Sequence, residues 1–117
     1  MASRKRLVDT YFDGFRRSDH EQILACLTDD VVWDLPGHAH LRGKQEFNAE
    51  IQRPDFEGSP TLVVDRLVEE ADTIVAIGQG HGAQRSGATF RFAFCTVFTF
   101  TDELIDRVES FIVPVTQ

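Results

Sequence analysis

Residues 90–100 read FRFAFCTVFTF, and the stretch alternates between two kinds of side chain. The even positions carry five of the ten phenylalanines in the chain, interrupted once by Thr96. The odd positions carry smaller or charged side chains, from Arg91 to Thr99. Because successive side chains of a β-strand point to opposite faces, this pattern predicts a long strand with a wall of aromatic rings on one face.

Glycine repeats in the preceding stretch, where Gly78, Gly80 and Gly82 share a parity. Glycine at alternate positions weakens a strand and usually marks bending or the close approach of another backbone. We therefore expect a sharply curved sheet whose concave side holds the ring wall.

Four C-terminal strands are predicted from the period-two pattern. They are Thr61 to Glu69, Thr73 to Gln84, Ala88 to Thr101 and Leu104 to Val115. The connections between them are too short for crossover helices, so the neighbours should form antiparallel hairpins.

Helices are predicted before these strands. Apolar residues from Leu7 to Phe15 follow one helical face, and a short second helix should begin at Ser18 or Asp19 and end at Asp29 and Asp30. Residues 31–35 read as a strand that stops at Pro36-Gly37, and a loop with His38 and His40 follows. A third helix spans Lys44 to Gln52, and Pro54, Gly58 and Pro60 mark the next connection. The predicted class is α+β, with three N-terminal helices on a curved sheet.

Length and charge limit the number of domains and the classes of function that the chain can have. The 117 residues fit a single domain, residues 1–117, because domains commonly have about 100–150 residues. Twelve basic and 19 acidic residues give 12 − 19 = −7, which offers no basic face for nucleic acid. No uncharged apolar stretch approaches the roughly 18 residues of a membrane span, so we expect a soluble, cytoplasmic protein that does not engage a membrane. Two cysteines without a metal or redox spacing predict no disulfide scaffold.

Several local sequences resemble the SnoaL-like, ketosteroid-isomerase-like branch of the nuclear transport factor 2 superfamily. They are LVDTYF at 7–12, TDDVVWDLPG at 28–37, Arg42-Gly43, and VFTF at 97–100 followed by a tight turn and Leu104-Ile105. The resemblance implies a cone-shaped barrel of cystatin-like topology, with a mixed, mainly antiparallel sheet and a hydrophobic pocket between helices and concave face. It also implies a homodimer through the outer face of the sheet. The superfamily includes isomerases, cyclases, dehydratases, epoxide hydrolases and binding proteins, so the fold does not fix the reaction.

The resemblance also assigns roles to individual residues. Tyr11 matches the helix-one tyrosine that donates a hydrogen bond to a developing enolate in the isomerases. The isomerase base falls at Leu35, with Asp34 one residue earlier, and the second oxyanion donor falls at Thr96. His81 is expected opposite Thr96, at a position that lines the pocket in the family.

His81 is the predicted general base, because a buried imidazole is mainly neutral and can accept a proton. A histidine that hydrogen-bonds to Gln79, or an exposed one near the hairpin end, is the alternative. Tyr11 is the predicted hydrogen-bond donor, unless it is simply a core aromatic. Asp34 lies beside Trp33 and could act as an acid or base, but strand parity turns it outwards if Trp33 faces the pocket.

His38 and His40 could form a metal site with Glu46 or His81, or they could lie in a loop at the pocket mouth and contact ligand. We favour the loop and expect neither metal nor cofactor.

The leading hypothesis is a cofactor-free acid/base enzyme of the isomerase, cyclase or lyase type that acts on a small apolar organic molecule. A ligand-binding or dimerisation module without chemistry is the alternative. The alternation of Ala93, Cys95, Val97 and Thr99 on the convex face predicts a homodimer. The predicted substrate-binding residues are Trp33, Leu35, His38, His40, Gln79, Phe94, Thr96 and Phe98.

Overall fold

The structure is a computed structural model that describes residues 3–51, 56–84 and 86–115. The helices come early: α1 (Arg4–Arg17), α2 (His20–Leu24) and α3 (Gly43–Ile51). The strands are β1 (Leu27–Leu35), β2 (Ala39–Arg42), β3 (Phe56–Glu70), β4 (Thr73–Gln84), β5 (Thr89–Thr101) and β6 (Leu104–Pro114). None of the helices described is long and apolar enough to cross a membrane.

The strands form one sheet in the order β2-β1-β6-β5-β4-β3. All neighbours are antiparallel except β1 and β6, which pair in parallel, with Asp34 opposite Glu109. The predicted α+β class, with helices on a mixed and mainly antiparallel sheet, is confirmed.

The ring wall of β5 faces inwards, as the alternation predicts. Phe94, Phe98 and Phe100 are buried, whereas Arg91 on the other parity is exposed. Together with residues of α1 and β1, these rings form the hydrophobic core.

The glycines of β4 make room for this wall. Gly78 pairs with Phe94 and Gly80 with Phe92 across the β4–β5 ladder. A Cβ atom on Gly78 would lie 2.1 Å from the carbonyl oxygen of Val63 and 2.7 Å from Cζ of Phe94. A side chain at this position would therefore collide with both the neighbouring strand and the ring.

Helix α1 is fixed to the sheet at both ends. Ser3 caps it by accepting a hydrogen bond from the backbone N–H of Arg6 at 3.1 Å. The Arg4 guanidinium pairs with Asp72 at 2.8 Å and donates to the carbonyl of Asp102 at 2.7 Å. Arg16 Nε donates to the carbonyl of Leu62 at 2.9 Å near the other end. These contacts hold the apolar face of α1 against the concave side of the sheet.

Three boundary predictions are wrong. Helix α2 has Asp19 as its N-cap and ends at Leu24, so Asp29 and Asp30 lie in β1. Residues 39–42 are a strand rather than a loop, because they pair with β1. Strand β3 begins at Phe56 and includes Gly58 and Pro60, where a connection was expected. In β2 and β3, pairing with the neighbouring strand outweighs the local propensity. Pro54 lies outside the described residues.

Candidate functional site

The space between α1, α3 and the concave sheet is occupied by aromatic rings. The Tyr11 ring lies 5.0 Å from Phe15 and 5.1 Å from Phe98, measured between centroids. The Trp33 ring stacks on Phe47 at 4.2 Å. Trp33, Phe94 and Phe98, three of the predicted binding residues, therefore pack within the core.

Tyr11 is only 3% exposed. Burial raises the pKa of its hydroxyl well above the ordinary value, and the nearby Cys26 raises it further. The hydroxyl therefore stays protonated and can act as a donor but not as a base. Within the described residues, no hydrogen bond joins the Tyr11 hydroxyl to an acidic or basic side chain.

The predicted placement of His81 is wrong. Its imidazole is exposed, and its cross-strand neighbour is Arg91, while Ala76 lies opposite Thr96. Paired residues of adjacent strands share a face, and the glycine-bearing face of β4 is the one that turns inwards. His81 and Gln79 therefore lie on the convex face, away from the rings.

Asp34 also faces outwards, on the side that strand parity favours. Its two carboxylate oxygens contact His40 Nδ1 and the Arg107 guanidinium. The hydrogen bond from His40 lowers the pKa of Asp34, and the positive charge of Arg107 lowers it further. Asp34 is thus an ionised partner in a surface network, which does not suit a general base. His40 belongs to this network and not to a pocket.

A depression of about 250 Å³ opens at the end of β1 and β6. We call this depression the mouth cavity. It is lined by Leu35, Pro36, His38, Ser110 and Ile112. Ile112 is 52% exposed, so the cavity is open to solvent. It is small for a ligand site, because such sites commonly measure about 300–1,000 Å³.

A tight turn brings His38 to this cavity. The backbone N–H of His38 donates to the carbonyl of Leu35 at 2.8 Å, and Gly37 has φ of 80°. Proline followed by a glycine with positive φ is typical of a type II turn. The local sequence Leu35-Pro-Gly-His38 therefore returns the chain to the end of β1.

A carboxylate from α3 holds the His38 ring. His38 Nε2 lies 3.0 Å from Glu50 Oε2. The described residues provide no partner for Nδ1, and the His38 side chain is 43% exposed. A neutral imidazole that donates through Nε2 keeps Nδ1 as an acceptor, which is the form a general base needs.

Ser110 adds a hydroxyl to the floor of the cavity. It is 9% exposed and accepts a hydrogen bond from Trp33 Nε1 at 3.0 Å. Thr96 lies directly opposite Ser110 on the inward face of the β5–β6 pair. Sequence reasoning missed Ser110, although its parity with Val108 on an inward-facing strand could have indicated it.

The predicted site residues thus separate into three groups. Leu35 and His38 meet at the mouth cavity, Tyr11, Trp33, Phe94, Thr96 and Phe98 lie inside, and Asp34, His40, Gln79 and His81 lie on the convex side. His38 and His40 are therefore apart, and Glu46 instead accepts a hydrogen bond from the backbone of Arg42. Within the described ranges no cluster of three His, Cys, Asp or Glu side chains could hold a metal ion.

Comparison with known proteins agrees with this architecture. The family model of the SnoaL-like domain matches residues 8–108, so the chain belongs to the SnoaL-like family. No curated protein matches the chain.

Solved structures share the fold at low sequence identity. An NTF2-like protein of unknown function from Burkholderia pseudomallei has a TM-score of 0.87 at 24% identity, over 94% of this chain and 90% of that one. An LEH-like epoxide hydrolase from M. tuberculosis has a TM-score of 0.79 at 18% identity, over 92% and 80%. A candidate polyketide cyclase from Pseudomonas putida has a TM-score of 0.80 at 21% identity, over 94% and 91%. The fold is shared, and the activities belong to those proteins.

Proposed function

We propose that the chain binds a small, largely apolar organic molecule in the mouth cavity and acts on it by cofactor-free acid/base chemistry of the isomerase, cyclase or lyase type. One observation carries this proposal: the His38–Glu50 pair, with its 3.0 Å contact, stands at a cavity whose other walls are Leu35, Pro36 and Ile112. An imidazole beside apolar walls is suited to removing a proton from a bound carbon acid.

Glu50 has a defined part in this chemistry. A carboxylate that accepts from one ring nitrogen fixes the tautomer of the imidazole and stabilises the imidazolium that forms on proton uptake. His38 would then accept the proton at Nδ1 and return it to another atom of the same molecule. Isomerisation needs no further reactant, because the proton that leaves the substrate is the proton, or its solvent equivalent, that re-enters it.

The family supports a reaction of this type without specifying it. A candidate polyketide cyclase and an LEH-like epoxide hydrolase are among the proteins with this fold. Fold alone does not determine activity. The proposal for this chain therefore rests on the mouth cavity.

The test uses cyclohex-3-enone, a small ketone whose conversion to cyclohex-2-enone requires one proton transfer out and one in. Conversion and deuterium uptake are followed by NMR in D2O for the wild type, His38→Ala, Glu50→Gln and His81→Ala. A general base contributes about 100-fold or more, so His38→Ala should lose at least that factor and Glu50→Gln a smaller one. His81→Ala should match the wild type.

Unchanged turnover in His38→Ala would overturn the proposal. Loss of turnover in His81→Ala alone would restore the prediction from the family resemblance.

A second candidate, ligand binding without chemistry, is favoured by a different observation. The residues predicted to act together are dispersed, since Tyr11 is buried among rings while Asp34 and His81 are on the convex side. Binding of the ketone in the cavity with no conversion and no deuterium uptake would select this candidate.

We also propose a homodimer through the convex face. Exposed or half-buried apolar side chains form its centre: Val63, Val68, Val75, Ile77, Ala93, Cys95, Val97, Phe111 and Val113. Polar residues such as His81, Arg91 and Arg107 surround them. An apolar patch with a polar rim is typical of a protein interface.

Light scattering tests the dimer. At micromolar concentration the wild type should have twice the mass of one chain, and Phe111→Glu should have the mass of a monomer. The control is Ile112→Glu, which changes an exposed apolar residue next to Phe111 on the opposite, inward face of β6. A monomeric wild type, or a dimeric Phe111→Glu, would contradict the proposed interface.

A further inference from the structure

The hydrogen bond between Trp33 and Ser110 has a fixed direction. The indole N–H can only donate, so Ser110 Oγ accepts it at 3.0 Å. The hydroxyl proton of Ser110 remains to be donated elsewhere. Within the part of the chain that the structure describes, no hydrogen bond uses that proton. Ser110 is nearly buried and lines the mouth cavity, so its donor capacity is available to a molecule in that cavity.

Trp33 holds Ser110 in place. The indole is 7% exposed and stacks on Phe47 at 4.2 Å, which fixes the ring. A donor whose position is set before the ligand arrives binds an acceptor without a further cost of ordering. The Trp33–Ser110 pair is thus a preorganised donor at the floor of the cavity.

We propose that Ser110 recognises a hydrogen-bond acceptor oxygen of the ligand, which makes the ligand class a small, largely apolar molecule that carries such an oxygen. The walls formed by Leu35, Pro36 and Ile112 match the hydrocarbon part of such a molecule. This inference rests on the proposed use of the mouth cavity.

The experiment compares two probes of nearly the same shape. Acetophenone has a carbonyl oxygen where α-methylstyrene has a methylene group. The affinity of each is measured by ¹⁵N NMR titration, and the indole N–H of Trp33 gives a single reporter signal because the chain has one Trp. One neutral hydrogen bond predicts that acetophenone binds the wild type about 3- to 10-fold more tightly.

Variants at Ser110 assign the preference to its hydroxyl. Ser110→Ala should lose the preference for acetophenone and keep its affinity for α-methylstyrene. Ser110→Thr retains a hydroxyl and should retain the preference. Ser110→Cys offers a weaker donor and should lose most of it, which keeps the test available if Ser110→Ala folds poorly. Ser86→Ala removes an exposed hydroxyl in the β4–β5 connection and should behave as the wild type.

The outcomes separate the inference from the proposed function. If both probes bind the mouth cavity equally, or if Ser110→Ala keeps the preference, the role of Ser110 is overturned and the cavity remains a binding site. If neither probe shifts signals of the mouth cavity, the proposed function is overturned and the inference with it.

Discussion

The deep interior and the mouth cavity lie on the same inward face of the sheet, yet they differ in what fills them. In the interior, Phe98 is fully buried and the Tyr11 ring packs against it at 5.1 Å. At the mouth, Ile112 on β6 has the inward parity but is 52% exposed. Parity therefore predicts which face a side chain occupies, whereas the layer packed on that face decides whether it is core or cavity wall.

The largest expected difference between the two regions is in stability. Phe98→Ala should lower the free energy of unfolding by about 3–5 kcal/mol, because it removes a buried ring and leaves a cavity. Ile112→Ala should cost about 1 kcal/mol or less, since this side chain is already half in solvent. Urea unfolding measures both values. Similar losses for the two variants would show that the mouth is as well packed as the interior.

The next effect concerns the glycines beneath the ring wall. In Gly78→Ala the new Cβ would meet the Val63 carbonyl oxygen at 2.1 Å, so a strand must shift, with an expected cost of about 1–3 kcal/mol. Gly80→Ala should cost less, because its backbone contact, the Thr61 carbonyl oxygen at 2.8 Å, is farther away, and its closest contact, at 2.5 Å, is the ring end of the half-buried Phe92. Thermal unfolding compares them. A larger loss in Gly80→Ala would contradict this order.

The smallest effect tests Asp34, which lies outside both regions. Its pKa is lowered in the folded protein by the His40 hydrogen bond and the Arg107 charge. The ionised form therefore stabilises the fold above the unfolded pKa of about 3.9, and this contribution disappears as pH falls through the lower folded pKa. Asp34→Asn should be slightly less stable than the wild type near pH 6, and the difference should vanish in acid.

Urea midpoints between pH 2 and pH 7 give the comparison, with Asp30→Asn on the exposed part of β1 as the control. A difference that grows as pH falls would contradict the assignment of Asp34 as an ionised partner of His40 and Arg107.

Much of the fold could be predicted because it depends on local alternation. The phenylalanines of β5 and the glycines of β4 predict a curved sheet with its rings inside, and the structure has this arrangement. Strand β2 could not be predicted, because residues 39–42 have little strand pattern and take their form by pairing with β1.

The site was harder to predict because it depends on register. His81 was placed opposite Thr96, whereas residues of unlike parity cannot pair across this regular hairpin. The role of Ser110 depends on the alignment of β6 with β1, which brings its hydroxyl to the indole of Trp33. This contact joins residues 77 positions apart, and no local pattern indicates it.

Whether ligand binds at the mouth, and not among the interior rings or at His81, is tested most directly by a map of backbone amide shifts during titration with acetophenone. We predict the largest shifts at Leu35, His38, Ser110 and Ile112, together with the Trp33 indole signal. Largest shifts at Tyr11 and Phe98, or at Gln79 and His81, with the mouth unchanged, would contradict it.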